Sequence, residues 1–391
     1  MTDFLSEAKT LFEYTRSLRR DFHAHPELGF HEIRTAGIVA RELNALGLEV
    51  YTGIAETGVV AILEGTKPGP VILVRADMDA LPILEETGAP YASQNPGVMH
   101  ACGHDGHTAI LLTVARMLNE HRDELSGTVK FMFQPAEEGM GGAEKMIEAG
   151  VLENPKVVTT LALHVWNEKP VGWIGIPDGP AMAGAEIFKI KVRGKGGHGA
   201  VPHLAVDPIL AAAQIVTALQ GIVARNVAPL SAAVVSVCTI HAGETFNVIP
   251  QQVELSGTIR TFEPEVRLKV LERFEKTVQA VADAMGCQAE IQVERLTPAT
   301  LNQPEIAAQV QKSARRTLPD ADVDSSNYVT MGSEDFAFVL EKVPGCFFFI
   351  GSANTEEGLD AGHHHPKFNF DETILPRAAA LMAATVFDIL N

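Results

Sequence analysis

Hydrophobic and polar positions in the N-terminal part of the chain follow alternating strand and helix patterns. The strand-like runs are GVVAILEG, GPVILVRADMDALP, GTVKFMFQPAEEG and VVTTLALHVW, and the helical patterns include IRTAGIVARELNALG, ILLTVARMLNEH and GGAEKMIEAGVL. The second strand-like run is nearly all apolar as far as Val74, which is typical of a strand buried on both faces. Alternating strands and helices favour an α/β sheet that is parallel at least in part.

The pattern changes near residue 183. An alternating strand, AEIFKIKVRGKG, is followed by a helical pattern, two more strands, the long helical pattern EVRLKVLERFEKTVQAVADAMG and a last strand, CQAEIQVERL. This β-α-β-β-α-β order is typical of ferredoxin-like domains. The α/β pattern then returns, and 391 residues exceed the usual size of a single core. We therefore predict a discontinuous α/β domain over 1–182 and 295–391, with a ferredoxin-like domain inserted over 183–294.

The chain is acidic, because 31 Lys and Arg oppose 49 Asp and Glu and give a net charge of −18. Such a surface repels phosphate backbones and anionic membranes, so we expect neither nucleic acid nor membrane as a partner. The N-terminal stretch does not have the pattern of a signal peptide, and the 4 cysteines lack the spacing of a disulfide framework. These features predict a cytoplasmic protein.

Residues 100–109, HACGHDGHTA, concentrate side chains that bind metals just before a helical pattern. Zinc-type sites use Cys, His, Asp and Glu, and catalytic sites leave a position open for water. By themselves, Cys102 and His104 fit metal binding, helix capping or packing. We expect His100 and His107 to be structural or to support ligands, and Asp105 to cap the helix.

Three further clusters carry similar side chains. Glu137 and Glu138 follow the strand VKFMF in a loop rich in Pro and Gly. One of them could bind a metal while the other acts as a base, although an acidic turn in solvent has the same sequence. His164 closes the run TTLALHV, where a lone histidine is usually a core residue, and HHHPKFNFDE covers 363–372. Such clusters at the strand ends of one α/β domain jointly predict a metal site.

Seven stretches together resemble one known family. They are RRDFHAHPELGFHE, RADMDALPI, HACGHDGHTA, QPAEEGMGGAEKMIEAG, GGHGAVPH, FNVIP and HHHPKFNF. In this order they are similar to the peptidase M20 family of metallo-amidohydrolases, in its branch of hippurate hydrolases, aminoacylases and auxin-conjugate hydrolases. The resemblance implies that Glu137 is the general base. It also implies two divalent metal ions per subunit (Zn, Mn, Co or Ni), held by Cys102, His104, Glu138, His164 and His364.

The resemblance also assigns residues outside the metal ligands. Many relatives carry His-x-Asp where this chain has DMD, so we expect Asp77 and Asp79 to orient the site rather than to bind metal. His198 matches a histidine that crosses a dimer interface and stabilises the oxyanion, although its sequence context alone indicates a surface loop. Asn247 and Arg260 match residues that bind the substrate carboxylate, a role that suits the planar guanidinium. The inserted domain is therefore expected to act as a lid and in dimerisation.

The expected function is hydrolysis of the amide bond of N-acyl amino acids, including hippurate-like compounds, by a homodimer or a dimer-based oligomer. Alternatives with the same site are a dipeptidase and an N-carbamoyl-amino-acid hydrolase. A non-catalytic metal-binding scaffold is a further alternative, but a base such as Glu137 beside a ligand such as Glu138 would have no purpose there. If Cys102 were instead a nucleophile, thiol alkylation would inactivate the protein and chelators would not.

Overall fold

The computed structural model of the protein describes residues 2–325 and 328–391. Internal contacts divide the chain into two units. The first unit runs up to Ala181 and also includes Leu301–Val329 and Asp335–Asn391. The second unit comprises Met182–Thr300 and Thr330–Glu334. The first unit is therefore discontinuous in sequence, and the second unit has a short segment from a later part of the chain.

The helices and strands of the described residues are named here in chain order. The α-helices are α1 (Phe4–Thr10), α2 (Phe12–Ala24), α3 (Ile33–Ala45), α4 (His104–Glu120), α5 (Gly142–Glu148), α6 (Pro208–Asn226), α7 (Pro264–Ala284), α8 (Pro304–Thr317), α9 (Ala337–Leu340) and α10 (Ile374–Leu390). The strands are β1 (Glu49–Ile54), β2 (Gly58–Glu64), β3 (Lys67–Asp77), β4 (Ser126–Gln134), β5 (Thr159–Pro170), β6 (Trp173–Gly175), β7 (Pro180–Met182), β8 (Gly184–Arg193), β9 (Gly197–His198), β10 (Ala233–Ala242), β11 (Val248–Ile249), β12 (Gln252–Thr261), β13 (Gln288–Thr297), β14 (Thr300–Leu301), β15 (Asp322–Asp324) and β16 (Gly345–Ala353).

The first unit is built on a mixed sheet with the strand order β1-β2-β4-β3-β5-β16-β6-β15. Its centre is parallel, since β3 pairs in parallel with β4 and β5, and β5 with β16. The prediction of an α/β fold is confirmed. The central strands are apolar because both faces of a parallel sheet are covered, and α4 is buried along most of its length among α2, α10 and the sheet.

The parallel register brings the ends of two central strands together. Asp77, the last residue of β3, is the partner of Gln134, the last residue of β4. The segments that follow these strands therefore begin side by side, and Glu137 lies in the second of them. His164 does not end its strand, because β5 continues to Pro170.

The second unit contains an antiparallel sheet with the order β10-β12-β8-β13. In chain order its main elements are β8, α6, β10, β12, α7 and β13. Both helices pack on the sheet through a separate core that includes Phe188, Ile215 and Phe274. The segment Thr330–Glu334 contacts the rest of this unit, since Ala183 N–H donates to the carbonyl oxygens of Thr330 and Gly332.

By length and composition, one helix of the described chain, α6, is apolar enough to cross a membrane. The apolar residues on one face of α6 have another explanation. Ala211, Ala212, Ile215, Leu219 and Ile222 are buried in the core of the second unit. The apolar character of this face follows from packing against the sheet.

Candidate metal centre

The five side chains predicted as metal ligands lie together in the first unit. Sγ of Cys102 is 3.5 Å from Nε2 of His164, and Nε2 of His364 is 3.2 Å from Oε1 of Glu138. The donor atoms of Cys102, His104 and His164 lie within 4.8 Å of one another, and so do those of Cys102, Glu138 and His364. Cys102 belongs to both groups.

A glycine allows Cys102 and His104 to reach the same site. Gly103 lies between them with φ 93, a left-handed conformation that glycine adopts without steric cost. A Cβ atom at this position would lie 2.3 Å from Cγ2 of Val165. The CGH sequence therefore makes a tight turn at the start of α4. This turn allows the donor atoms of Cys102 and His104 to lie within 4.8 Å of each other.

In His104 and His164, the hydrogen bonds of Nδ1 leave Nε2 available to bind a metal. Nδ1 of His104 is 2.9 Å from the carbonyl oxygen of Asp79, and Nδ1 of His164 is 2.6 Å from that of Val165. A carbonyl oxygen only accepts, so Nδ1 carries the proton in both rings and the neutral ring keeps a lone pair on Nε2. Nε2 of His104 is buried and has no hydrogen-bond partner among the described residues. Metal-binding histidines are commonly held in this way.

The charges around these donors favour a bound cation. Burial and the Glu138 carboxylate raise the pKa of the Cys102 thiol. Hydrogen bonds with Cys102 and Glu138 raise the pKa of His364 to about 10. Burial opposes a positive charge on His104, but Asp77 and Cys102 raise its pKa well above the usual value. A thiol, three imidazoles and a carboxylate suit two divalent ions of the Zn, Mn, Co or Ni type.

Two further histidines lie beside the cluster with different roles. His107 uses both ring nitrogens, since Nδ1 is 2.6 Å from Oδ1 of Asp77 and Nε2 accepts from Val165 N–H at 2.9 Å. His107 is therefore a supporting residue. Nδ1 of His363 is 3.9 Å from Sγ of Cys102, and Nε2 accepts from Asn167 N–H. The contact of His363 with Cys102 was not predicted from the sequence, although His363 directly precedes the predicted ligand His364.

Asp79 contacts both a predicted ligand and the loop that carries Glu137, the predicted base. Its Oδ1 is 3.2 Å from Nδ1 of His104, and its Oδ2 accepts from Glu138 N–H at 3.0 Å. The Asp77 carboxylate supports His107 and lies 3.6 Å from Nε2 of His104. Both carboxylates therefore contact predicted ligands or their loop, and the role of orienting the site stays a prediction.

Glu137 is held by a buried polar network. Its Oε1 accepts from Asp335 N–H at 3.2 Å. The Asp335 carboxylate accepts from Arg75 at 3.2 Å and from Gln134 at 2.7 Å. Arg75 also donates to Asp77 at 2.6 Å, so one buried guanidinium joins Asp335, which contacts Glu137, to the carboxylate that contacts His107. Asp335 was not identified from the sequence.

Asp105 does not cap α4, so that prediction was wrong. The N-cap is Gly103, and no side-chain hydrogen bond caps the helix. The Asp105 carboxylate instead accepts from Nε of Arg19 and bonds Nδ1 of His23, both at 2.8 Å. A fully buried arginine needs a paired charge, and this requirement outweighs local capping.

His198 and Asn247 lie in the second unit, at a small two-stranded sheet. His198 in β9 is the partner of Val248 in β11, and Gly199 N–H donates to the carbonyl oxygen of Asn247 at 2.8 Å. Nδ1 of His198 accepts from Ala200 N–H at 3.0 Å. The neutral ring therefore carries its proton on Nε2 and can donate a hydrogen bond there.

Arg260 lies in β12 of the same unit, opposite Val234 of β10 and Ala185 of β8. Its Nη1 atom is buried and has no hydrogen-bond partner among residues 2–325 and 328–391. Burial lowers the pKa of this guanidinium, while Glu186 acts in the opposite direction. A partly buried N–H group without an acceptor suits an anionic ligand.

Comparison with known proteins identifies the class of enzyme. Residues 73–388 match the model of peptidase family M20/M25/M40. The chain therefore belongs to this family, which confirms the resemblance seen in its sequence, and it is a hydrolase of the M20 type.

Three relatives extend the comparison. The chain is 42% identical over 377 residues to N-acetylcysteine deacetylase of Bacillus subtilis (strain 168), with 96% of each chain covered. It is 39% identical to IAA-amino acid hydrolase ILR1-like 4 of Arabidopsis thaliana, covering 97% of this chain and 86% of that protein. The crystal structure of the Bacillus subtilis YXEP protein, a dinuclear metal binding peptidase from the M20 family, matches with a TM-score of 0.86 and 39% identity over 98% of this chain and 99% of that one.

Proposed function

We propose that the protein hydrolyses the amide bond of N-acyl amino acids, including hippurate-like compounds, and releases a carboxylic acid and a free amino acid. The observation that carries the proposal is a carboxylate beside the metal-binding cluster, since donor atoms of Glu137, Glu138 and His104 lie within 4.8 Å of one another. A relative of 42% identity is a deacetylase of N-acetylcysteine, which is itself an N-acyl amino acid. The proposed location is the cytoplasm, where a reducing environment keeps Cys102 a thiol.

In the proposed mechanism, one set of residues binds the metal ions and Glu137 transfers the proton. Cys102, His104, Glu138, His164 and His364 would hold two divalent ions. These ions would supply Lewis acidity toward the amide carbonyl and the attacking water. Glu137 takes the proton from that water and later delivers it to the leaving amine, and the Asp335 N–H group keeps the Glu137 carboxylate in one orientation.

Metal dependence and substrate class are tested in one screen. The protein is stripped with a chelator until mass spectrometry detects no metal, and it is then assayed with Zn, Mn, Co or Ni added back. Substrates are N-acetyl and N-benzoyl amino acids, dipeptides and N-carbamoyl amino acids. We expect the metal-loaded protein to hydrolyse the N-acyl amino acids fastest and the stripped protein to be inactive.

Other results of this screen identify the alternatives. Faster turnover of dipeptides or N-carbamoyl amino acids would assign those activities instead. Full turnover without detectable metal would refute metal dependence. Inactivation by a thiol-alkylating reagent together with resistance to chelators would favour Cys102 as a nucleophile. Metal binding with no turnover of any substrate would favour the scaffold alternative.

We further propose that the second unit serves as a lid and dimerisation domain, with His198 acting in the active site of a second subunit. Family resemblance supports this role, and the Nε2–H tautomer supplies a hydrogen-bond donor for an oxyanion. A strand at the edge of the sheet, such as β10, offers unpaired backbone groups for pairing across a two-fold axis.

Subunit complementation tests the action of His198 in a second subunit. Inactive His198→Ala and inactive Glu137→Gln are mixed under conditions that exchange subunits. A mixed dimer then has one site with both defects and one with neither, so up to about half of the activity per mixed dimer returns. The exchange is verified with two different affinity tags, and each variant mixed with itself is the control. No recovery despite verified exchange would place His198 in the site of its own chain or outside catalysis.

A further inference from the structure

The loop before α3 packs closely against the loop that carries Glu137. A Cβ atom added at Gly29 would lie 2.8 Å from Sδ of Met140 and 3.0 Å from Cβ of Ala136. This loop belongs to the stretch PELGFHE, and none of its residues is a member of the candidate metal groups found among the described residues. The two loops are therefore in direct contact on the N-terminal side of Glu137.

The two glutamates of this stretch have different partners. The Glu27 carboxylate accepts from the backbone N–H groups of Arg34 and Thr35 at 3.0 Å and 2.9 Å, at the start of α3. Helix capping is thus provided by Glu27, although Glu32 occupies the N-cap position of that helix. The Glu32 side chain turns inward and is fully buried.

Glu32 makes two hydrogen bonds in the interior. Its Oε1 accepts from Ala136 N–H at 2.9 Å, across 104 residues of sequence, and its Oε2 accepts from the Thr57 hydroxyl. Burial raises the pKa of this carboxyl group. A carboxyl group at such a depth is unfavourable unless it is hydrogen-bonded, and these two contacts offset part of that cost.

Ala136, the partner of Glu32, has an unusual backbone conformation. Its φ of 54 lies in the left-handed region, which is unfavourable for a residue with a Cβ atom. The direction of the chain at Ala136 decides where the next side chain, Glu137, points. The adjoining Glu138 N–H donates to Asp79, so the loop is fixed on both sides of the base.

We propose that Glu32 is a positioning residue for catalysis: its hydrogen bond to Ala136 N–H holds the left-handed backbone that directs Glu137. The inference rests on the proposed function of Glu137 as the base. In this proposal Glu32 acts through the backbone of Ala136 and not as a member of the candidate metal groups.

The test compares Glu32→Ala with a matched variant, Glu27→Ala. Both substitutions remove a carboxylate of the same loop that accepts hydrogen bonds from backbone N–H groups. Glu32→Ala is expected to lower kcat for an N-acetyl amino acid by about 100-fold, since small misplacements of catalytic groups have effects of this size. KM and metal content should stay near their wild-type values. Glu27→Ala is expected to lower the melting temperature and to leave kcat unchanged.

A second substitution separates positioning from general stabilisation. Glycine adopts a φ of 54 without steric cost, so Ala136→Gly in the Glu32→Ala background should recover kcat by about tenfold. Glu32→Gln keeps an acceptor for Ala136 N–H and should retain most of the activity. No recovery in the double variant, or equal losses in Glu32→Ala and Glu32→Gln, would overturn the proposal.

Crystal structures provide a readout that does not depend on activity. In Glu32→Ala, residue 136 is expected to leave the left-handed region, and in Glu32→Gln it should remain there. An unchanged φ at residue 136 in Glu32→Ala would overturn the inference even if kcat falls. If the wild-type protein hydrolyses none of the substrates, the proposed function fails, and these structures still decide whether Glu32 holds the loop. If Glu32→Ala does not fold, Glu32→Gln and Ala136→Gly carry the comparison, and loss of the left-handed conformation in Glu32→Gln would contradict the proposal.

Discussion

Glu137→Gln is expected to lower kcat by about 10²- to 10⁴-fold while the protein keeps its fold and its metal ions. The amide has the shape of the carboxylate and can still accept from Asp335 N–H, but it cannot take a proton from water. Since the adjacent Glu138 is the proposed ligand, the metal content should not change. The measurement combines kcat, metal content by mass spectrometry and the melting temperature.

A matched control for this variant is Glu144→Gln. Glu144 is an exposed carboxylate in the first turn of α5, a few residues farther along the same loop and helix. The Glu144→Gln substitution should leave kcat and metal content unchanged. Near-normal turnover of Glu137→Gln with its metal retained would show that another residue is the base. Loss of metal from Glu137→Gln would identify Glu137 as a ligand.

The sequence was sufficient for features that depend on local patterns. The continuous apolar run of β3 up to Val74 predicted a strand buried on both faces, because a strand covered on both sides exposes no polar positions. The cluster around Cys102 and His104 was equally visible, since the CGH spacing concentrates donors within one turn. Family resemblance then assigned the more distant donors, which pattern alone could not connect.

Other features depend on contacts that no local pattern encodes. Asp105 has the sequence context of a helix cap, but its partner Arg19 is 86 residues away and fully buried. His107 was expected to be structural or to support ligands, but its partners Asp77 and Val165, which occupy both ring nitrogens, could not be predicted from the sequence. The left-handed conformation of Ala136 is also unpredictable from sequence, because it is held by tertiary contacts rather than by a glycine.

The protein is expected to discriminate strongly between an N-acyl amino acid and its α-amide. We propose that Arg260, together with Asn247, binds the free carboxylate of the substrate. The Nη1 atom of Arg260 is buried with no hydrogen-bond partner in the described part of the chain, so a bound carboxylate would satisfy it. Removing one partner of a desolvated charge pair costs about 2–5 kcal/mol, which corresponds to a loss of about 30- to 5,000-fold in kcat/KM.

The discrimination should depend on the guanidinium of Arg260 itself. Arg260→Gln is expected to lower kcat/KM for the acid and to leave kcat/KM for the amide almost unchanged. The ratio of the two kcat/KM values should therefore fall to about one. Arg193→Gln is the matched control, because Arg193 is an exposed arginine of the neighbouring strand β8 that pairs with Glu290 at 2.9 Å. It should retain the wild-type ratio, since an exposed ion pair contributes little. Equal efficiency of the wild-type protein on acid and amide would refute carboxylate binding. A ratio that survives Arg260→Gln would assign carboxylate binding to another residue.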